Sequence, residues 1–335
     1  MKYKNNIIFA IAKSLLNTLI TLGQMIIKIW NHKKGRIGLI LVVMISLIAI
    51  FAPFLAPYDP YDVLQRGARG VGPSTEYFLG TTSYGQDIFS MLIYGARVSM
   101  SICIITAILI SFTGAIIGIA AGYLGKLPDA IIMRVVDVML VIPTLPITIV
   151  LTNLFGKSYA MLIFIFTLFG WAGLSRVVRS QVLTIKNTNY VKSAELFGGG
   201  KWYVMTKHIL PGVSNQLIMN TAMTAAGVMI AEAGLSFLGL GNTEFISWGK
   251  MLAEAQSSGA FLLGYWWWII APGIGIFASV SAFMLIGFSL EEIFNPRMKS
   301  SNSQYKVLKT LSGTYIKELF EQMEAADNVG GIENE

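Results

Sequence analysis

The stretch "GGGK" at residues 198–201 poses the first chemical question, because a glycine-rich turn followed by lysine is a common way to cradle a phosphate. The complete phosphate-loop pattern also needs an earlier glycine and a serine or threonine after the lysine. Those positions hold Glu195 and Trp202, so no cradle can be built. The histidines, His32 and His208, do not fall near a second metal-ligand type, and the single cysteine, Cys103, lies inside an apolar run. That thiol reads as a small buried hydrophobe. Serine, histidine and acidic residues never line up as nucleophile, base and orienter within an apolar run. Two carboxylates do touch such runs. Asp137 has Arg134 one helical turn away and reads as half of an i, i+3 ion pair. Glu232, in "MIAEAGLSFLGLG", reads as a hydrogen-bonded group inside a helix bundle or as a residue of a translocation path. Two isolated carboxylates make a thin proton relay, so ion-coupled transport is the weaker reading. No catalytic residue, cofactor or metal is expected.

The elements that must hold these residues are hydrophobic to an unusual degree. Of 335 residues, 54% are hydrophobic and 13% charged, and the mean hydropathy is +0.63. Soluble domains carry about 25% charged residues. The deficit lies in apolar runs near the roughly 20 residues a helix needs to cross a bilayer. The fold class is therefore all-α, a polytopic transmembrane bundle with six spans: Ile37–Ala56, Val98–Gly122, Val138–Leu154, Ala160–Leu174, Val213–Leu238 and Trp266–Leu290. The fourth is short and has room to run on toward Val178. Gly114, Gly118 and Gly122 recur every four residues, a spacing that lets a neighbouring helix backbone approach closely.

Charge sets the orientation. The net charge of +7 would suit nucleic acid, but the basic residues gather in particular loops rather than on one stripe, so no nucleic acid is expected. Residues 1–36 hold Lys2, Lys4, Lys13, Lys28, Lys33, Lys34 and Arg36 without Asp or Glu. The segment between the fourth and fifth spans holds Arg176, Arg179, Lys186, Lys192, Lys201 and Lys207 against Glu195. The loop after the first span has Asp59, Asp62, Glu76 and Asp87 against Arg66, Arg69 and Arg97. By the positive-inside rule both termini and the basic segment are cytoplasmic, and an even number of spans agrees. The chain divides into a basic N-terminal region (1–36), a transmembrane domain (37–299, with a cytoplasmic loop at about 176–212) and a cytoplasmic tail (300–335). Residues 7–30 read as an interfacial amphipathic helix or a seventh span, and no signal-peptide cleavage site precedes "NHKKGR". In the tail, Leu308, Leu311, Tyr315, Leu319 and Met323 suggest one amphipathic helix before a disordered end. Tyr265, Trp266, Trp267 and Trp268 read as an aromatic belt at the outer interface.

The polar segment "YVKSAELFGGGKWYVMTKHILP" (190–211) is longer than a tight turn. Val191, Ala194 and Phe197 fall at helical spacing after Asn189, a candidate N-cap, and glycines 198–200 would end that helix. A second helical stretch, 201–210, runs into Pro211, which permits a new helix start but not continuation. The reading is helix, glycine turn, helix, lying on the cytoplasmic face as a lever joined to two spans.

This segment resembles the cytoplasmic loop of the inner-membrane permease subunits of binding-protein-dependent ABC importers, E-A-A-x-x-x-G, nine residues, then I-x-L-P. Lys192, Ser193 and Ala194 fall on E-A-A, Gly198 on the glycine, and His208, Ile209, Leu210 and Pro211 on I-x-L-P, with no gap. Lys192, Ser193 and His208 depart from the pattern, and Glu195 lies one turn from the missing glutamate. "APFLAPYDP" (52–60), "FLGTTSYGQDIFSMLIYGARVSM" (78–100), "MRVVDVMLVIPTLP" (133–146), "GLSFLGLG" (234–241), "SWGKMLAEA" (247–255) and "FNPRMK" (294–299) are similar to the C-type subunit of the dipeptide/oligopeptide branch. The likeness covers about residues 35–299, with Gln86 and Phe288 at positions usually charged in that branch. It implies a type I importer permease without its own nucleotide site. The implied partners are a B-type permease subunit, cytoplasmic ATPase subunits that hydrolyse ATP and receive the loop helix, and an extracytoplasmic binding protein that contacts "PYDPYDV" and the 241–265 loop, all at the cytoplasmic membrane. Peptides are the implied substrates; close relatives serve nickel or oligosaccharides.

Overall fold

The computed structural model describes residue 23, residues 25–241 and residues 244–294. The amphipathic tail helix expected after residue 300 lies outside them, as does most of the 7–30 stretch. The described residues contain no β-strand; Thr81 and Asp87 form one isolated bridge. The helices are α1 (Lys33–Ile50), α2 (Ala52–Leu55), α3 (Ile88–Leu124), α4 (Lys126–Val141), α5 (Thr144–Phe155), α6 (Tyr159–Lys186), α7 (Asn189–Leu196), α8 (Lys201–Val204), α9 (Leu210–Phe237), α10 (Trp248–Ser257) and α11 (Trp266–Phe294).

Among the described residues, four helices are long and apolar enough to cross a membrane: Ile88–Leu124, Tyr159–Lys186, Lys201–Phe237 and Trp266–Phe294. The α4–α5 pair makes a fifth if taken as one broken span. The chain is a multi-pass membrane protein. The expected first span falls on α1 and α2. Three cationic residues, Lys33, Lys34 and Arg36, open α1, and the helix ends at Phe51. The expected third span is not a continuous rod. It bends by 83° between α4 and α5, where Ile142 is extended ahead of Pro143. The proline's Cδ disfavours helical backbone in the preceding residue, which accounts for the break.

Helix α3 is the central strut. Asp87 caps it by accepting a hydrogen bond from the Ser90 backbone N–H at 2.8 Å and another from the Ser90 hydroxyl at 2.6 Å. Its 37 residues rise about 55 Å. Gly114, Gly118 and Gly122 face α6 as their spacing predicts. A Cβ on Gly118 would stand 2.6 Å from the Ser175 carbonyl oxygen and 2.8 Å from Val178, and one on Gly122 would stand 2.7 Å from Val182. Helix α6 starts at Tyr159, with Ser158 accepting from the Met161 N–H, and runs past Val178 to Lys186. It therefore extends well beyond the expected Leu174. Two ion pairs fix α4 to α6. Arg179 grips Asp129 with two hydrogen bonds, at 2.5 and 2.6 Å, and Asp137 pairs with Arg176. The Arg134 partner expected for Asp137 is thus replaced by an arginine from another helix, because α4 packs along α6.

The main core gathers Met91, Ile102, Cys103, Leu162, Met229, Trp248 and Trp268. Cys103 is buried, as its apolar setting predicts. The expected aromatic belt holds only in part. Trp266 is exposed, but Trp268 is wholly buried and Trp267 turns toward the loop after α2. There the Trp267 indole N–H approaches the Thr81 carbonyl at 3.4 Å. That loop is itself ordered: the Thr81 hydroxyl donates to Ala68 O at 2.7 Å and accepts from the Val71 N–H at 2.9 Å. Trp268 instead packs into the main core, in the same cluster as Met91, Ile102 and Met251.

Candidate coupling site

Helix α7 and its N-cap each fall one residue earlier than expected. Thr188 occupies that position without a side-chain cap, and Asn189 is the first helical residue. Its C-terminus forms a complete glycine cap. The Gly199 N–H donates to Ala194 O at 2.9 Å and the Gly198 N–H to Glu195 O at 3.0 Å, with Gly198 at φ +84°. Nothing lies within 4 Å of a Cβ placed on Gly198, so its backbone dihedral alone demands glycine.

The second half of the segment differs from the expected helix stop. Residues Met205–Ile209 form a π turn, and the Leu210 N–H bonds back five residues to Met205 O. Helix α9 then continues with Pro211 in its first turn, so Lys201–Phe237 is one helical element. Widening the turn moves the carbonyls that the proline ring would otherwise strike and removes the need for its missing N–H. Pro211 is accommodated rather than acting as a break.

The segment is bolted to the spans through a separate apolar cluster. Val191, Val204, Ile209 and Val213 are fully buried with Val178, Val182 and the flank of Tyr123. A polar tie runs beside it. The Tyr123 hydroxyl donates to Glu195 at 2.7 Å, while Lys186 donates to Tyr123 O at 2.7 Å and lies 5.2 Å from the centre of its ring. The last turns of α3 and α6 therefore hold α7 directly. On the other side of the segment the side chains are open. Leu196 and Phe197 are 86% and 92% exposed, and Trp202 is 75% exposed. Phe197 thus lies off the buried face on which its spacing with Val191 and Ala194 would place it. It occupies the C-cap, where the helix unwinds into the glycine turn and the side chain swings outward.

Of the predicted residues, Lys192, Ser193, Glu195 and Gly198 are exposed on α7 and its turn, with Ala194 half-buried. His208 is half-buried between Tyr190 and Tyr203, with ring centres at 6.2 and 5.5 Å. Leu210 and Pro211 are exposed at the base of α9. Glu232 is not part of this site. It is buried between α3, α9 and α10, accepting from Ser236 at 2.7 Å and lying 3.4 Å from the Ser99 hydroxyl. These contacts are those of a polar group hydrogen-bonded within the bundle. The partners that tie down α7, Tyr123 and Lys186, carry no local signal, since Tyr123 and Glu195 are 72 positions apart.

Replacing Tyr123 with Phe keeps the ring and removes the hydrogen bond to Glu195. A bond to a charged acceptor contributes about 1 kcal/mol when that acceptor is solvent-exposed. Tyr123→Phe is expected to leave folding intact and to increase hydrogen exchange of the α7 amides about fivefold. Unchanged exchange would show that the apolar cluster alone holds the helix.

Comparison with known proteins adds an independent line. Residues 114–300 match the family model described as binding-protein-dependent transport system inner membrane component, which includes the whole 189–211 segment. Residues 22–73 match the N-terminal TM domain of oligopeptide transport permease C. The chain is 35% identical over 228 residues to the dipeptide transport system permease protein DppC of Bacillus subtilis, covering 68% of this chain and 71% of the relative. It is 33% identical over 273 residues to a putative peptide transport system permease protein of Brucella abortus, covering 81% and 90%. It is 34% identical over 230 residues to the glutathione transport system permease protein GsiD of Pectobacterium atrosepticum, covering 68% and 75%.

Proposed function

The chain belongs to the binding-protein-dependent transport system inner membrane components, and on that premise we propose that it is a membrane-spanning subunit of an ATP-driven importer of short peptides. It has no nucleotide site of its own and takes its energy from separate ATPase subunits. The observation that carries this reading is the pairing of an exposed apolar tip, Leu196 and Phe197, with a base buried among the ends of α3 and α6. Large apolar side chains at such exposure, flanked by Lys192 and Lys201, fit a surface that another protein covers. Their rigid base lets force on the tip reach two spans.

In this proposal α7 lies on the cytoplasmic side and docks on an ATPase subunit. Closure of the ATPase pair on ATP moves α7, and the spans alternate between inward-open and outward-open arrangements. Both termini are cytoplasmic. A second permease subunit completes the path, and an extracytoplasmic binding protein delivers substrate to the opposite face. There the loop before α11 presents Phe261 and Leu262, 84% and 90% exposed. Peptide as the substrate class is supported by the dipeptide, peptide and glutathione permeases to which the chain is similar.

Putting Asp at both Leu196 and Phe197 tests the docking surface. Burying a large apolar side chain contributes about 1.5–3 kcal/mol. The double variant is therefore expected to insert normally and to lose at least tenfold in ATPase co-purification and ATP-driven uptake. Full ATPase retention by the double variant would overturn the docking role.

A further inference from the structure

The opposite end of the bundle holds a cavity of about 480 Å³ that none of the preceding sites uses. It is lined by Tyr61 from the loop after α2, Tyr94, Arg97 and Ser101 from α3, Tyr159 at the start of α6, and Phe245 before α10. Its size suits a small ligand, and its lining is the usual mixture of aromatic walls with a few polar groups.

Arg97 sets the chemistry. It lies nine residues into α3, about 13 Å from its start and just before the expected span at Val98, and its side chain is exposed to the cavity. Among the described residues no carboxylate forms an ion pair with it; Asp137 pairs with Arg176 and Asp129 with Arg179. An exposed cation at the outer end of this helix, facing a concave space with aromatic walls, suits an anionic ligand group. Guanidinium groups bind carboxylates through two parallel hydrogen bonds.

The walls are preformed. Tyr61 is held by the Ile246 N–H, which donates to its hydroxyl at 3.0 Å, and its ring meets Tyr94 edge to face at 5.8 Å between centres. Burial raises the Tyr61 phenol above its ordinary pKa, which keeps it a neutral donor. A residue that only anchors the helix at the lipid boundary has no need of a concavity built from four separate segments.

We infer that this cavity is a subsite for the C-terminal carboxylate of a short peptide, with Arg97 as its cation and Tyr61, Tyr94 and Tyr159 enclosing the terminal residue. The inference rests on the importer reading for its ligand class and for the side from which peptide enters.

The test uses the complete transporter in lipid nanodiscs without the binding protein, with dialanine and its C-terminal amide as probes. Wild type is expected to bind dialanine at least tenfold more tightly than the amide. Arg97→Gln should abolish that preference while leaving amide affinity and ATPase retention unchanged, and Arg97→Lys should restore part of it. Equal wild-type affinity for the two probes would overturn the subsite. So would an equal loss for both in Arg97→Gln, as expected for a lipid-boundary anchor. ATP-driven uptake with the binding protein added is scored separately. Failure of wild type to take up either probe overturns the importer reading, while the binding preference still decides the subsite.

Discussion

Gly198→Val is expected to lower ATP-driven uptake at least tenfold while the variant chain still inserts and assembles. The reason is conformational. Gly198 sits at φ +84° in the cap that ends α7, a region costing an ordinary L-residue about 1–2 kcal/mol and a β-branched one more. No atom crowds the position, so the penalty is not steric contact with a neighbour. The least costly relief is to unwind the last turn of α7, which breaks the Gly199–Ala194 and Gly198–Glu195 bonds and disperses Leu196 and Phe197. Gly198→Asn provides the internal control, since asparagine tolerates this region, and should retain most of the uptake. ATP hydrolysis measured beside uptake gives the diagnostic ratio. Hydrolysis that continues without transport marks loss of coupling, whereas equal activity of the Val and Asn variants would remove the cap from the mechanism.

Gly118→Leu is expected to have the larger effect on stability, reducing folded protein in the membrane to a small fraction of wild type. Its Cβ alone would stand 2.6 Å from the Ser175 carbonyl oxygen, a backbone atom that cannot swing away. Helices α3 and α6 would have to separate along their contact, pulling apart the seam that continues through Gly114 and Gly122. Overpacking costs typically 1–3 kcal/mol in adaptable cores, and a rigid backbone neighbour places this site at or above the top of that range. Gly118→Ala should be milder but still destabilising. The check is the apparent melting temperature of the detergent-solubilised chain together with its membrane yield. A Leu variant as stable as wild type would mean that α3 and α6 do not meet closely in the membrane.

What could be read from the chain alone followed the range of the interaction involved. The glycine seam on α3 was legible because a four-residue spacing has one geometric meaning on a helix. Gly198 was legible because a glycine cap is local. Apolar run length located the crossing helices but blurred their ends, since α6 and the Lys201–Phe237 element extend through polar sequence that packing keeps helical. The bend at Pro143 was present in the sequence as an Ile-Pro step, yet the surrounding hydropathy concealed it. Partner choice was not legible. Arg134 was the sequence-local neighbour for Asp137, but Arg176 is the one that the α4–α6 contact brings to it. Likewise no local pattern connects Tyr123 to Glu195, or Tyr61 to the cavity around Arg97. Trp268 read as an interface residue because its core partners, such as Met91 and Ile102, lie far away in the sequence.

The π turn at Met205–Ile209 gives the Lys201–Phe237 rod an adjustable phase. In an α-helix each residue adds about 1.5 Å of length and about 100° of rotation. A wide turn absorbs such an increment locally. If that turn tightened to α geometry, the rod would lengthen by about one residue's rise and its distal half would rotate by nearly a third of a circle relative to its base. The side chains carried round would include Glu232, now directed at Ser236 and Ser99. A small change of winding at the base, beside the exposed Leu196–Phe197 tip, is thus geometrically equivalent to re-aiming everything further along the rod.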